Sequence, residues 1–276
     1  MTQASIGFIG GGNMARSLIG GLIADHYPSA LISVSEPDAT ARGKLAADFS
    51  IEVLEDNLQL ARSVDVLVLA VKPQLMKQVT EEIREGVQAK HPLVVSIAAG
   101  IRAANLDEWL GGNVAVVRTM PNTPSLVGSG AAGLYANERV SEEQKAVAES
   151  ILRAVGLTLW VRDEAQIDHV TALSGSGPAY FFLIIEALEA AGCKLGLPQE
   201  TARLLALQTA YGSAKMALES PEDAATLRQR VTSPGGTTEQ ALKVLEEGQI
   251  HELFEQALMA ASQRSVELAD MFGEAK

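Results

Sequence analysis

Through the first half of the chain, short apolar runs alternate with stretches whose apolar residues recur at helical spacing. Residues 6–9, 31–35, 51–53, 64–71, 93–97 and 114–117 read as strands, with a last one at 157–161. Residues 14–24, 39–48, 74–86 and 141–155 read as helices. The run at 64–71 is almost wholly apolar, as expected of a central parallel strand covered on both faces. Ser141, followed three residues later by Gln144, opens its helix with a capping-box pattern. Strand–helix alternation at this pitch predicts a parallel sheet with right-handed crossovers.

From about Asp163 the strand pattern stops. Residues 178–195, 198–219, 224–231, 238–247 and 251–272 read as helices, two of them with proline in or before the first turn, where no helical N–H is missed. The row Ile184, Leu188, Ala191, Leu195 and the row Leu204, Leu207, Tyr211, Ala214, Leu218 are apolar at helical spacing. Helices this apolar need a surface to bury against, and a second copy of the chain is the expected one. The pattern divides the chain into a sheet-bearing part, residues 1–162, and an all-helical part, residues 163–276.

Composition narrows the function. With 276 residues, 47% of them hydrophobic and 20% charged, the chain can bury two cores and is not a disordered protein. A net charge of −12 argues against nucleic acid as a partner. An anionic cofactor remains possible, because backbone N–H groups bind anions locally. Cys193 is the one cysteine, so no disulfide and no cysteine-based zinc site is expected within the chain. His26, His91, His169 and His251 lack metal-ligand spacing, and no metal is expected. The N-terminus has no basic stretch ahead of its apolar run, and the apolar run at 179–185 is far short of the ~20 residues that span a bilayer. A cytoplasmic protein with no membrane partner is the expectation.

Gly10-Gly11-Gly12-Asn13-Met14-Ala15 follows the first strand and opens the first helix, matching G-x-G-x-x-A. The first glycine permits a tight turn, the second lets a pyrophosphate approach the backbone, and the small Ala15 lets helix and strand pack closely. Gly10, Gly12, Asn13, Met14 and Ala15 are therefore candidate dinucleotide contacts. The adenosine ribose should be read at Ser35-Glu36, after the second strand. Ser35 could donate to a 2′-phosphate and favour NADPH, whereas Glu36 could accept from a 2′-hydroxyl and favour NADH. Ala70, Val71, Lys72 and Pro73 end the central strand, and Ala98, Ala99 and Gly100 end the fifth. Ligands of parallel sheets collect at such strand ends, so these residues should face the cofactor cleft. Two prolines stiffen the loop after the sixth strand and present Asn122 and Thr123.

Two further segments, Ala172-Leu173-Ser174-Gly175-Ser176-Gly177-Pro178-Ala179-Tyr180 and Val231-Thr232-Ser233-Pro234-Gly235-Gly236-Thr237-Thr238, join the stretches already named. Together they resemble the pyrroline-5-carboxylate reductases from end to end. The resemblance implies an α/β Rossmann-type N-terminal domain followed by an all-α C-terminal dimerisation domain, with dimers that can assemble into a decamer, a pentamer of dimers. It implies reduction of the C=N bond of 1-pyrroline-5-carboxylate to L-proline, the last step of proline biosynthesis. NADPH is the implied cofactor, with NADH open because Glu36 departs from a neutral or basic phosphate pocket. Ser35 and Asn57 match positions near the adenosine end. Ser233, Gly235, Gly236, Thr237 and Thr238 match the substrate loop, which such enzymes take from the partner subunit, and Asn122 is placed in the same cleft. The Thr238 hydroxyl is the implied contact to the ring nitrogen and the catalytic candidate. Elementary chemistry agrees: a glycine turn at a helix N-terminus is a carboxylate seat.

Two rival readings exist. A β-hydroxyacid-type dehydrogenase would want a cleft lysine on the first long helix of the second part, where Lys194 stands only at the far end. A non-catalytic NADPH-binding sensor would keep Gly10 and Gly12 and have no need of the loop at 233–238.

Overall fold

The structure, a computed structural model, describes residues 3–274; the outermost residues of the two expected parts, 1–2 and 275–276, lie outside the described residues. In order, the elements of the sheet-bearing part are β1 (Ile6–Ile9), α1 (Asn13–Ala24), β2 (Ile32–Ser35), α2 (Ala39–Phe49), β3 (Glu52–Leu54), α3 (Asn57–Ser63), β4 (Val66–Leu69), α4 (Met76–Lys90), β5 (Leu93–Ser96), α5 (Ala103–Trp109), β6 (Val116–Met120), β7 (Gly130–Ala136), α6 (Glu142–Arg153) and β8 (Gly156–Trp160). Then come α7 (Gln166–Val170), α8 (Gly177–Lys194), α9 (Gln199–Glu219), α10 (Ala224–Arg230), α11 (Thr237–Glu247) and α12 (Ile250–Glu274).

One eight-stranded sheet runs in the order β3-β2-β1-β4-β5-β6-β7-β8. Every neighbouring pair is parallel except β6 and β7. β7, which the apolar pattern does not predict, inserts between β6 and the last strand. Its sequence, GAAGLYA, has few of the branched and aromatic residues that mark strands. The inner strands β1, β2, β4 and β5 are buried throughout. Successive residues of a strand point to opposite faces, and two cores follow. Ile6, Phe8, Val66 and Val68 pack with Leu18, Ile19 and Leu22 of α1 and with Ile151 and Leu152 of α6. Ile9, Leu67, Leu69 and Val94 pack on the other side with Leu60, Ile83, Val87 and Trp109 of α3, α4 and α5.

The contact pattern splits the chain into two units. The first runs to Ser176 and takes back the chain from Ala260; the second is Gly177–Met259. Residues 163–176 thus belong to the sheet unit, although the periodicity predicts a joint at Arg162. The reason is a buried ionic cluster. Arg118 on β6, 1% exposed, pairs with Glu164 at 3.1 Å and with Asp168 of α7 at 3.4 Å. Glu164 also accepts the Ala103 N–H at 2.7 Å, and Asp168 accepts the Ser265 hydroxyl of α12 at 2.7 Å. After α7, residues 171–175 form one turn of π-helix.

In the second unit, α8 and α9 pack together, and Ala202 and Ala206 are buried. Large apolar side chains are left exposed: Phe181 64%, Phe182 66% and Leu183 64% on α8, and Tyr211 62% and Leu218 83% on α9. Residues 166–194 are, by length and composition alone, long and apolar enough to cross a membrane, which the short run at 179–185 does not anticipate; the most apolar 18 residues among them are 11% buried.

Removing one partner of a buried ion pair leaves the others uncompensated. Arg118→Met should therefore destabilise the protein by about 3 kcal/mol or more, read as the midpoint of urea unfolding at fixed protein concentration. A loss below about 0.5 kcal/mol would place the cluster outside the folding energetics.

Candidate functional site

The strand order reverses between β1 and β4, and the crevice beyond their carboxyl ends is where a doubly wound sheet binds ligands. Gly10 turns there with φ +95°, and a Cβ on it would lie 2.8 Å from the Ala70 carbonyl oxygen. Only glycine meets both conditions. Gly12 is different: its φ is −69°, and a Cβ on it would meet nothing within 4 Å. The backbone is thus bare toward open space. N-cap side chains close several other helix N-termini, though not those of α4, α5, α7 and α9: Asp38 accepts from Ala41 N–H, Asp56 from Leu58 and Gln59 N–H, and Ser141 with Gln144 forms the expected capping box. α1 begins on Gly12 with no side-chain cap, so its first amides face the crevice without a built-in acceptor. These features fit a pyrophosphate. Ala15 is buried against the sheet, Asn13 is exposed, and Met14 is half-buried. Ala70, Val71 and Pro73 are half-buried at the end of β4, with Lys72 exposed beside them.

Three expected contacts stand differently. Ser35 is fully buried, and its hydroxyl donates to Asn57 Oδ1 at 2.7 Å. It is the last residue of β2, paired in the sheet with both Ile9 and Leu54. Asn57 has its side chain engaged accordingly. Gly100 is buried at φ +71°, and a Cβ there would lie 3.2 Å from the Phe272 ring. Its missing side chain leaves room for the Phe272 ring of α12. Ala98 is buried, and Ala99 is the half-exposed residue of that group. Asn122 has both ends of its amide committed: Nδ2 donates to the Ser174 carbonyl at 3.0 Å, and Oδ1 accepts the Ala131 N–H at 2.9 Å. It therefore pins the π-turn to the start of β7. Gly175 in that turn comes so close that a Cβ would lie 2.6 Å from Met120 Cε.

Glu36, by contrast, lies in the groove. Its Oε2 accepts the Gly11 N–H at 2.9 Å and its Oε1 the Asp38 N–H at 3.1 Å. The strongest recorded pKa shift is elsewhere. Asp65 is held down at about 2, first by the Lys90 ammonium and then by the Ser5 amide. It precedes β4, at the amino end of the sheet and away from the crevice, so it marks a surface clamp and not a chemical group.

In the second unit, the turn at 233–236 leads into α11. Gly235 sits at φ +71°, and α11 begins on Gly236, again with no side-chain cap. The helix starts one residue earlier than its apolar spacing predicts. The Gly236 N–H donates to the Ser233 carbonyl at 3.0 Å, and the Gly235 N–H donates to the Glu239 carboxylate at 2.8 Å. This turn therefore already holds a carboxylate, one of its own. Thr237 is exposed and Thr238 half-buried in the first turn of the helix.

Comparison with known proteins identifies the relatives of this architecture. Residues 164–268 match the family described as pyrroline-5-carboxylate reductase dimerisation, and residues 5–100 match NADP oxidoreductase coenzyme F420-dependent. A curated pyrroline-5-carboxylate reductase of Pseudomonas aeruginosa is 54% identical over 274 residues, covering 99% of this chain and 100% of that protein. This chain belongs to the pyrroline-5-carboxylate reductase family. The solved pyrroline-5-carboxylate reductase of Coxiella burnetii, 50% identical, superposes with a TM-score of 0.94 over 97% of this chain and 99% of its own. The pyrroline carboxylate reductase of Plasmodium falciparum, crystallised with NADP bound, is 31% identical, with a TM-score of 0.85 over 98% and 99% of the two chains. In this chain, the glycine turn and the uncapped start of α1 fit a dinucleotide's phosphates.

The two glycines should fail differently. Gly10→Ala forces both strain and a clash, and should lower thermal stability as well as dinucleotide affinity. Gly12→Ala should keep wild-type stability and still weaken dinucleotide binding by about tenfold or more, because its Cβ occupies the pyrophosphate approach. Calorimetric titration with a thermal melt checks both. Unchanged affinity in Gly12→Ala would remove the crevice from the binding site.

Proposed function

We propose that this chain is a reductase that converts 1-pyrroline-5-carboxylate to L-proline with NAD(P)H, as the last step of proline biosynthesis in the cytoplasm, and that it works as a homodimer. The observation that carries the reading is the second glycine-opened helix start. A cofactor site explains Gly10–Ala15, and a carboxylate-bearing substrate fits the Pro-Gly-Gly turn, whose Gly235 amide holds the carboxylate of the chain's own Glu239. The family match and the 54% identity over nearly the whole chain support the same substrate.

Domain roles follow: residues 1–162 hold the cofactor, and the helices within 163–276, above all those of Gly177–Met259, form the dimer and complete the substrate site. The exposed apolar faces of α8 and α9 are the surface for the partner helices. The match of residues 164–268 to a dimerisation family favours a second chain over a bilayer as their cover. Five such dimers would make the decamer. In the dimer, the loop Ser233–Thr238 of one subunit meets the cofactor crevice of the other.

A bound reduced nicotinamide supplies the hydride that reduces the C=N bond. The chain's own residues hold the substrate. Backbone amides of Gly235, Gly236, Thr237 and Thr238, at the positive end of α11, take the substrate carboxylate. Glu239 must give up the Gly235 amide for the full set to form. The Thr238 hydroxyl donates to the ring nitrogen, where it stabilises the amine as it develops. A group acting on the reacting atoms should affect turnover more than cofactor affinity.

Thr238→Ala should lower kcat by about 10²-fold while leaving dinucleotide Kd within twofold of wild type, and Thr238→Ser should recover most of the activity. Steady-state kinetics of NADPH consumption with pyrroline-5-carboxylate, run beside a 3-hydroxyacid in reverse, reads this. Equal kcat in mutant and wild type would remove Thr238 from the reaction; turnover of the hydroxyacid alone would replace the substrate. Sedimentation of the wild type should give twice or a higher even multiple of the 29.1 kDa chain mass, and a stable monomer would contradict the shared site.

A further inference from the structure

The groove beyond β1 and β2 carries a fixed acidic side chain at the place where a dinucleotide's adenosine ribose is read. Glu36 follows β2 directly, and its carboxylate is held by two backbone amides, Gly11 N–H at 2.9 Å and Asp38 N–H at 3.1 Å. The polar groups around it are already spoken for. Ser35 is buried, with its hydroxyl on Asn57. Asn57 Nδ2 lies 3.4 Å from both carboxylate oxygens of Glu82. Arg42 donates to the Glu36 and Pro37 carbonyls at 2.7 and 2.8 Å, and its other nitrogen pairs with Glu55 at 3.1 Å. A dianionic 2′-phosphate entering here meets a carboxylate anchored at the fingerprint and a guanidinium neutralised by another. A ribose with a free 2′-hydroxyl meets an acceptor with spare lone pairs.

We infer that Glu36 sets the cofactor preference of this chain toward NADH, accepting from the ribose hydroxyls and repelling a 2′-phosphate. The inference rests on the reading of the crevice as a dinucleotide site. It is independent of which substrate is reduced.

The test is calorimetric titration of the full-length protein with NADH and with NADPH, without substrate. Wild type should bind NADH more tightly. Glu36→Gln keeps an acceptor for Gly11 and removes the charge; it should raise NADPH affinity by about tenfold, equivalent to 1.4 kcal/mol, and not raise NADH affinity. A second reading needs no variant. Repulsion between exposed charges is screened by salt, so the NADH advantage of wild type should narrow between 20 mM and 500 mM salt, concentrations over which the Debye length falls from roughly 20 Å to roughly 4 Å. NADPH binding as tightly as NADH in wild type, or an affinity ratio unmoved by Glu36→Gln, would overturn the role of Glu36 and leave the crevice standing. Failure of both dinucleotides to bind would overturn the crevice itself, and Glu36 with it.

Discussion

Binding of anions by backbone amides is the constraint on which this molecule's chemistry depends. The chain carries a net charge of −12, so its overall field repels an anionic dinucleotide and does not draw in a carboxylate. Recognition must then come from short-range dipoles, and those are strongest where a helix begins without its own cap. α1 and α11 both begin on glycine with no side-chain cap, whereas α2, α3, α6 and α10 are closed by Asp38, Asp56, Ser141 and Asp223. One open start faces the crevice of the sheet, and the other sits in the helical unit after a Pro-Gly-Gly turn. Each glycine has a geometric reason: Gly10 for the approach to Ala70, and Gly235 for its left-handed turn.

The helical unit supplies the second constraint. Its large apolar residues are on the outside, and its buried residues are small. Burial of apolar area contributes roughly 25 cal/mol per Å², so covering these exposed faces would be strongly favourable, and residues 164–268 match a dimerisation family. Within the sheet unit, Arg118, its two carboxylate partners and their contacts tie β6, α5, α7 and the end of α12 into one cluster.

Much of this was legible in the residues, and the exceptions have physical causes. Continuous apolar runs located the inner strands and period-3.6 patterns the long helices, and Ser141 with Gln144 predicted a cap that is present. β7 was hidden because GAAGLYA lacks strand-like side chains, and its antiparallel pairing with β6 breaks the alternation. α7 is five residues long, too short for a period to show. The return of α12 to the sheet unit was invisible, since amphipathic spacing says that a face is buried and not what buries it. At the site, the glycine turns were readable because their chemistry is local. Ser35, Gly100 and Asn122 were not, because their roles are fixed by residues far away in sequence: Asn57, Phe272, and the pair Ala131 and Ser174. The sequence shows which polar groups stand at a strand end, but not which of them the fold has already satisfied.

The central claim is that one active site takes its cofactor groove from one subunit and its substrate loop from the other. Co-expression of two separately tagged variants, Gly12→Ala and Thr238→Ala, assayed at a dinucleotide concentration that leaves the first largely unbound, tests it most directly. If sites are shared across the dimer, each mixed dimer contains one site built wholly from intact elements. The purified co-expressed mixture should then recover about a quarter of wild-type activity, from half the dimers and one site in each. Activity no higher than that of the separate variants would contradict the shared site.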